Sequence, residues 1–247
     1  HLYRGEYTEA AARANEVITA TPMYTLAGNY AFYDGNTSED IFTIQMTTTD
    51  NSRTGAGGLA SYHRPAAQGG RGDAPFSTSL VQAYLEEAGD RRLSTLSDSA
   101  VASDGPRRRF TLKYVDARTN ADNAPVLRVT EMYLNRAEAL AERDGINQTS
   151  IDLINALRRR AGLTDWTLLT FTTKPAFIDA ILNERRKELA FEGHRRMDLL
   201  RKGKPLRTSG VGATISKPCV DPKVILPIPQ REIDINPGLK GQQNPGY

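Results

Sequence analysis

The stretch KPAFIDAILNERRKELAFEGHRRMDLLRKG, residues 174–203, decides how this 247-residue chain is read. On a helix, Ile178, Ile181, Leu182, Leu189, Leu199 and Leu200 fall in one apolar stripe of helical period. The same stripe carries Arg185, Glu192 and Arg196. Charge on an apolar face is costly unless paired, so these groups are expected to meet each other or a partner helix. Glu192 stands four residues before Arg196, the better order for a helical ion pair. Arg185, Glu188, Glu192 and Arg196 are therefore predicted to form a structural ion-pair network. Pro175 suits a first helical turn, and Gly193 marks a kink or a join between helices.

An acid–base reading competes with this one. Glu184, Glu188 and Glu192 are spaced by one helical turn and can present their carboxylates together. No His–carboxylate or His–His metal spacing accompanies them, and the run reads as architecture.

Upstream, the pattern predicts paired helices over 126–143 and 150–161. Asp144-Gly145 makes the turn, Ser150 can cap, and Gly162 can stop the second helix in left-handed geometry. The pair spans roughly the 34-residue tetratricopeptide period. At the start, Tyr7, Ala10, Ala11, Ala14, Val17 and Ile18 make a stripe of small residues suited to close helix packing. DIFTIQM (40–46) and the alternation of Phe110, Leu112 and Tyr114 predict short strands. Thr78 or Ser79 can cap a helix that closes at Asp90, Arg91 and Arg92. Residues 47–75 and 97–109 read as polar loops, and 117–125 as a polar linker. VILPIP (224–229) is extended because of its prolines, and the tail GQQNPGY is expected to lie over the helices.

Composition excludes several classes. A net charge of +3 from 32 basic and 29 acidic residues is a mixed surface, with no nucleic-acid footprint. The arginine runs at 107–109 and 158–160 read as solvated faces. Cys219 is the only cysteine, which excludes an internal disulfide and a cysteine-rich metal site and leaves a passive thiol. GAGG and GGRG lack the Lys-Ser/Thr of a phosphate loop, and Arg71-Gly72-Asp73 reads as a chance tripeptide. No cofactor or metal motif and no catalytic set is visible.

NERRKELAFEGHRRMDLLRKG (183–203) resembles the signature of the SusD/RagB family of surface nutrient-binding lipoproteins. VLRVTEMYLNRAEALAERDG, INALRRRAGL, VILPIPQREIDINPGL and QQNPGY resemble its other recurring segments, in the family's order across 126–247. SLVQAYLEEAGDRRL (79–93) extends the likeness. Val129, Met197 and Lys202 depart from it, where the family often has aromatics.

The resemblance implies a mostly α fold with a minor α+β part: tetratricopeptide-like helix pairs, long loops and a few short strands. It implies that residues 1–247 are the C-terminal fragment of one SusD-like domain. Residues 1–46 would be a helix and strand, 47–125 a variable loop-rich region, and 126–247 the signature region. It further implies a non-catalytic lipoprotein on the extracellular face of the outer membrane. The N-terminal lipid anchor would be absent from this chain, since Cys219 lies too far along to serve. Such a protein captures an oligosaccharide or other nutrient and delivers it to a SusC-like TonB-dependent transporter. Ligand loops in this setting display aromatic faces beside polar groups. The candidates are Tyr30, Tyr33, Tyr62, His63, Arg64 and Trp166, with core packing the competing role for Trp166. A glycoside hydrolase and a protein- or peptide-binding helical-repeat module remain as alternatives.

Overall fold

The computed structural model of the chain describes residues 1–30, 35–51, 58–102, 104–206 and 220–247. Tyr33 and Cys219 lie outside the described residues. The chain divides into two units, His1–His194 and Arg195–Tyr247.

The first unit is built on helices α1 (Tyr7–Ile18), α5 (Val129–Asp144), α6 (Gln148–Ala161) and α7 (Lys174–Glu188). Between α1 and α5 come strand β1 (Asp40–Ile44) and the short helices α2 (Leu59–His63), α3 (Thr78–Leu85) and α4 (Arg92–Thr95). The strands β2 (Ser97–Val101), β3 (Arg107–Thr111) and β4 (Ala124–Arg128) follow. This mostly helical architecture, with two small antiparallel sheets among the described residues, is the one the sequence predicts.

Helix α5 is the centre of the core. It packs against α1, α6 and α7, and its Leu134, Ala137, Ala139 and Ala141 are fully buried. Small side chains let the neighbours close in: Ala10, Ala11 and Ala14 of α1 are buried, and Ser150 Oγ donates to the Ala137 carbonyl at 2.9 Å. The predicted Ser150 cap is displaced by one turn's start. Asn147 is the capping residue, accepting from the Ser150 N–H at 2.9 Å. Thr173 caps α7 and Pro175 sits in its first turn, while Phe177, Ile178, Ile181 and Leu182 enter the core.

The loops contain more structure than their polarity suggests. Residues 97–101 pair antiparallel with 107–111, β2 on β3, where a polar loop is predicted. The linker before α5 is β4, which pairs with β1 and delays the helix start to Val129. Ser77, not Thr78 or Ser79, caps α3, which ends at Leu85. The tight return after α2 requires Gly70, because a Cβ there would stand 2.1 Å from the Arg64 carbonyl oxygen.

A buried ion cluster joins these elements along the last turns of α7, where the row Phe177, Ile181 continues as Glu184 and Glu188. The Glu188 carboxylate accepts from Arg160 Nη2 at 2.8 Å and from Arg128 Nη2 at 3.4 Å, and Arg92 Nη1 lies 3.5 Å away. Glu184 accepts from Arg92 at 2.9 Å and Arg158 at 3.2 Å. Glu192 takes Lys113 at 2.5 Å and Arg128 Nε at 2.8 Å. Glu39, placed beside Arg128 by the β1–β4 pairing, bridges Arg128 and Arg160 at 2.7 Å each. Arg158 and Arg160 are thus interior groups, contrary to their reading as a solvated face, and only Arg159 of that run stays exposed, paired with Asp165. Arg158 and Arg160 look solvated in sequence because their partners lie on distant segments.

Arg185 turns to α5, donating to Asn135 at 2.7 Å and Glu131 at 3.2 Å. The predicted helical pair of Glu192 with Arg196 does not form on a continuous helix. Helix α7 ends at Glu188, and the chain turns through Phe191 and Gly193, both at positive φ. Arg196 instead donates to the Val224 carbonyl within the second unit.

The second unit comprises α8 (Arg195–Arg201), the turn Pro222–Val224, α9 (Gln230–Ile235) and the tail. Within this unit the tail bonds back onto the VILPIP segment. Gln243 accepts from the Ile228 N–H at 2.8 Å and donates to its carbonyl at 2.9 Å. Asn244 donates to the Leu226 carbonyl at 2.7 Å. No described helix is long and apolar enough to cross a membrane.

Two outcomes follow from this arrangement. Glu188→Gln leaves Arg160, Arg128 and Arg92 short of a counter-charge in a dry interior. It should cost about 3–5 kcal/mol in chemical denaturation of the full-length protein. Burial opposes the Glu188 charge, but Arg160, Arg128 and Arg92 outweigh it and pull its carboxyl from 4.5 down to about 2. Its contribution is therefore complete above 4.5 and is lost as pH falls toward 2, and an acid titration of unfolding should show that loss.

Candidate functional site

The turn after α7 forms one wall of an open hollow of about 680 Å³. Leu59 and His63 of α2, Tyr114, residues 124–126 of β4 and Tyr3 complete it, with Phe191, Glu192, Gly193 and His194 on the turn. A hollow of this size, mostly apolar with a few polar groups, has the character of a small-ligand site.

Helix α2 is held in place from three sides. Asn120 Oδ1 accepts from Ser61 Oγ at 2.9 Å, and the Arg71 N–H donates to the Ser61 carbonyl at 2.8 Å. Arg64, which follows the helix, donates to the Thr111 carbonyl at 2.9 Å and pairs with Asp98 at 3.1 Å. The helix is thereby fastened to the β2–β3 sheet, and His63 is presented at a fixed angle.

His63 Nδ1 lies 2.8 Å from the Leu59 carbonyl. That contact places the proton on Nδ1 and leaves Nε2 as an acceptor. Burial pushes the His63 pKa below its ordinary value, so the ring is neutral near pH 7, although the Leu59 carbonyl pulls the other way. Its ring stands 5.8 Å from Tyr114 and meets Phe191 edge-on at 5.4 Å. Phe191 sits at φ 67, a left-handed conformation unfavourable for a non-glycine residue, and its ring is held 4.7 Å from Phe76.

The charged groups of the wall are directed inward. Glu192 is bound by Lys113 and Arg128, which together outweigh burial and hold its carboxyl well below the usual carboxylate range. His194 Nδ1 lies 3.5 Å from Arg185 and 3.8 Å from Glu131. A glycosidase acid needs a carboxyl kept protonated, whereas Glu188 and Glu192 are held ionised.

The predicted ligand residues separate into two groups. His63 lines the hollow, and Tyr62 stands beside it, 41% exposed, its ring edge-on to His63 at 5.3 Å and 5.6 Å from the Arg71 guanidinium. Arg71 is itself paired with Asp73. Tyr30 and Arg64 are buried, at 8% and 5% exposure, which withdraws them from any ligand. Tyr30 donates to Glu188 at 3.3 Å with Arg160 at 4.9 Å from its ring. Trp166 is clamped through its backbone by Asn155, at 2.8 and 2.9 Å, and packs on Phe171, Phe177 and the Arg158 guanidinium. It is a core-packing residue. Tyr114, Phe191 and His194 were not singled out from sequence, although an aromatic before Glu-Gly at the end of a charged helix was a usable signal.

The sequence profile of the SusD family matches residues 106–247. A SusD-like protein of Formosa agariphila is 35% identical over 136 residues, covering 52% of this chain and 25% of its own length. A second from the same organism is 25% identical across 100% of this chain and 57% of itself. Among solved structures, a candidate sugar-binding protein of Bacteroides vulgatus ATCC 8482 superimposes with a TM-score of 0.80 at 28% identity, over 100% of this chain and 57% of that one. The surface glycan-binding protein A of Bacteroides thetaiotaomicron gives 0.73 at 22% identity, a likeness of fold, over 100% of this chain and 61% of that one. The chain thus spans from a quarter to about three fifths of the length of these relatives. The profile match over 106–247, which takes in helices α5 to α7, shows that the chain belongs to the SusD family.

Proposed function

We propose that this chain is part of a non-catalytic cell-surface protein that binds a nutrient glycan and delivers it to a SusC-like TonB-dependent transporter. The family match over 106–247 carries this reading, and the sugar-binding description of its B. vulgatus structural relative supports it. The site geometry is suited to it. Aromatic faces match the C–H faces of sugar rings, and neutral acceptors beside them suit hydroxyl groups. Tyr62 and His63 are the binding residues in this proposal, with Phe191 and Tyr114 as supporting walls. Attachment to the outer membrane through a lipid anchor belongs to the same proposal.

A glycan array followed by calorimetric titration of the full-length protein tests the reading. Tyr62→Ala and His63→Ala should each weaken glycan binding about tenfold while leaving the unfolding transition nearly unchanged. Trp166→Ala should do the reverse, lowering stability by about 3 kcal/mol with little selective effect on affinity. Reducing sugar released by the purified protein would contradict the non-catalytic assignment. Affinity for peptides without glycan binding would favour the peptide-handling alternative.

A further inference from the structure

The chain carries 32 lysines and arginines, yet none of them is among the described residues that line the hollow. Lys113 and Arg128 are almost wholly buried, and both are bound by Glu192, the only carboxylate in the described lining. Lys113 spends a further hydrogen bond on the Glu188 carbonyl at 2.8 Å. What the cluster turns toward the hollow is therefore the side of a neutralised carboxylate. Arg71 reaches only the neighbouring Tyr62 ring, already paired with Asp73. Arg4, beside the lining residue Tyr3, is paired with Glu6 at 2.6 Å.

His194 turns its Nδ1 toward Arg185 and Glu131, at 3.5 and 3.8 Å. His63 offers an acceptor at Nε2, fixed there by the Leu59 carbonyl. The rings of Tyr114 and Phe191 supply apolar surface, and Phe191 keeps its place at the expense of an unfavourable backbone conformation, a feature that concentrates at ligand-contacting positions. A uronate or sulfate entering this hollow would shed water without meeting a lysine or arginine of the described lining, an unfavourable exchange. A hydroxyl would find an acceptor and a ring face.

We propose that the hollow between α2, β4 and the turn at 191–194 takes an uncharged saccharide and discriminates against anionic ones, despite the chain's net positive charge. This rests on the glycan-binding reading above and narrows it. Binding there should be insensitive to ionic strength, because no pair of opposite charges forms across the interface.

The test is calorimetric titration of the full-length protein with two panels at low and high salt. One holds neutral gluco-, xylo- and manno-oligosaccharides, the other oligogalacturonate, oligoalginate and a chondroitin sulfate oligosaccharide. Wild-type protein is compared with His63→Ala and with Val126→Lys. Val126 lies at the rim and is exposed, so its lysine variant places a cation at the hollow without disturbing the core. The expected result is salt-insensitive binding of a neutral saccharide, weakened about tenfold by His63→Ala, with Val126→Lys shifting the ratio of affinities toward anionic saccharides. Tighter binding of an anionic than of any neutral saccharide, falling steeply with salt, would overturn the inference and leave the glycan-binding reading standing. Neutral-glycan binding indifferent to both variants would overturn the assignment to this hollow. Binding of neither panel would overturn the glycan reading itself and this inference with it.

Discussion

Everything in the first unit is referred to the Glu188 carboxylate and the guanidinium groups around it. Arg92, Arg128 and Arg160 come from α4, β4 and α6, segments far apart in sequence. Each charge, taken alone into that interior, would lose several kcal/mol of hydration. Only the complete set is tolerable, so the segments can be buried together but not singly. The apolar core around α5 supplies the driving force of collapse, and the ion cluster supplies its selectivity. A helix can slide on an apolar stripe with modest loss, whereas guanidinium forks meeting carboxylates at 2.7 to 2.9 Å fix a register.

The same cluster explains how α7 can stop inside the protein. The last carbonyls of a helix have no partner within it and must be satisfied elsewhere. Here the Lys187 carbonyl accepts from the Tyr84 hydroxyl at 2.6 Å, and the Glu188 carbonyl accepts from Lys113 at 2.8 Å and Arg128 at 3.1 Å. Cations at this end also meet the negative pole of the helix. With the helix closed so firmly, the following turn is free to adopt the left-handed geometry of Phe191 and Gly193. The wall of the hollow is thus a consequence of helix termination.

The helices were readable because their determinants are local. Apolar periodicity, Pro175, the Asp144-Gly145 turn and Gly162 at φ 80 are all properties of a few consecutive residues. The two sheets were harder to see. β4 contains Pro125 and leaves Val126 and Leu127 exposed, so its alternation is weak, and only pairing with β1, which ends at Ile44, makes it a strand. The arginines at 158 and 160 and the aromatic Tyr30 were misplaced for a related reason. Their environment is created by partners from α7 and from Glu39, and no window of sequence contains both.

That non-local pairing also determines what the surface can offer. Net charge counts every lysine and arginine equally, but a ligand meets only those left unpaired at a surface. In this chain Lys113, Arg92, Arg128, Arg158 and Arg160 are spent inside, so the overall sign says little about the hollow. The residues that build the fold have removed charge from the place where the rings and His63 are displayed. On the binding mode proposed above, recognition there falls to shape, ring faces and neutral acceptors, chemistry that suits hydroxyl groups better than carboxylates or sulfates.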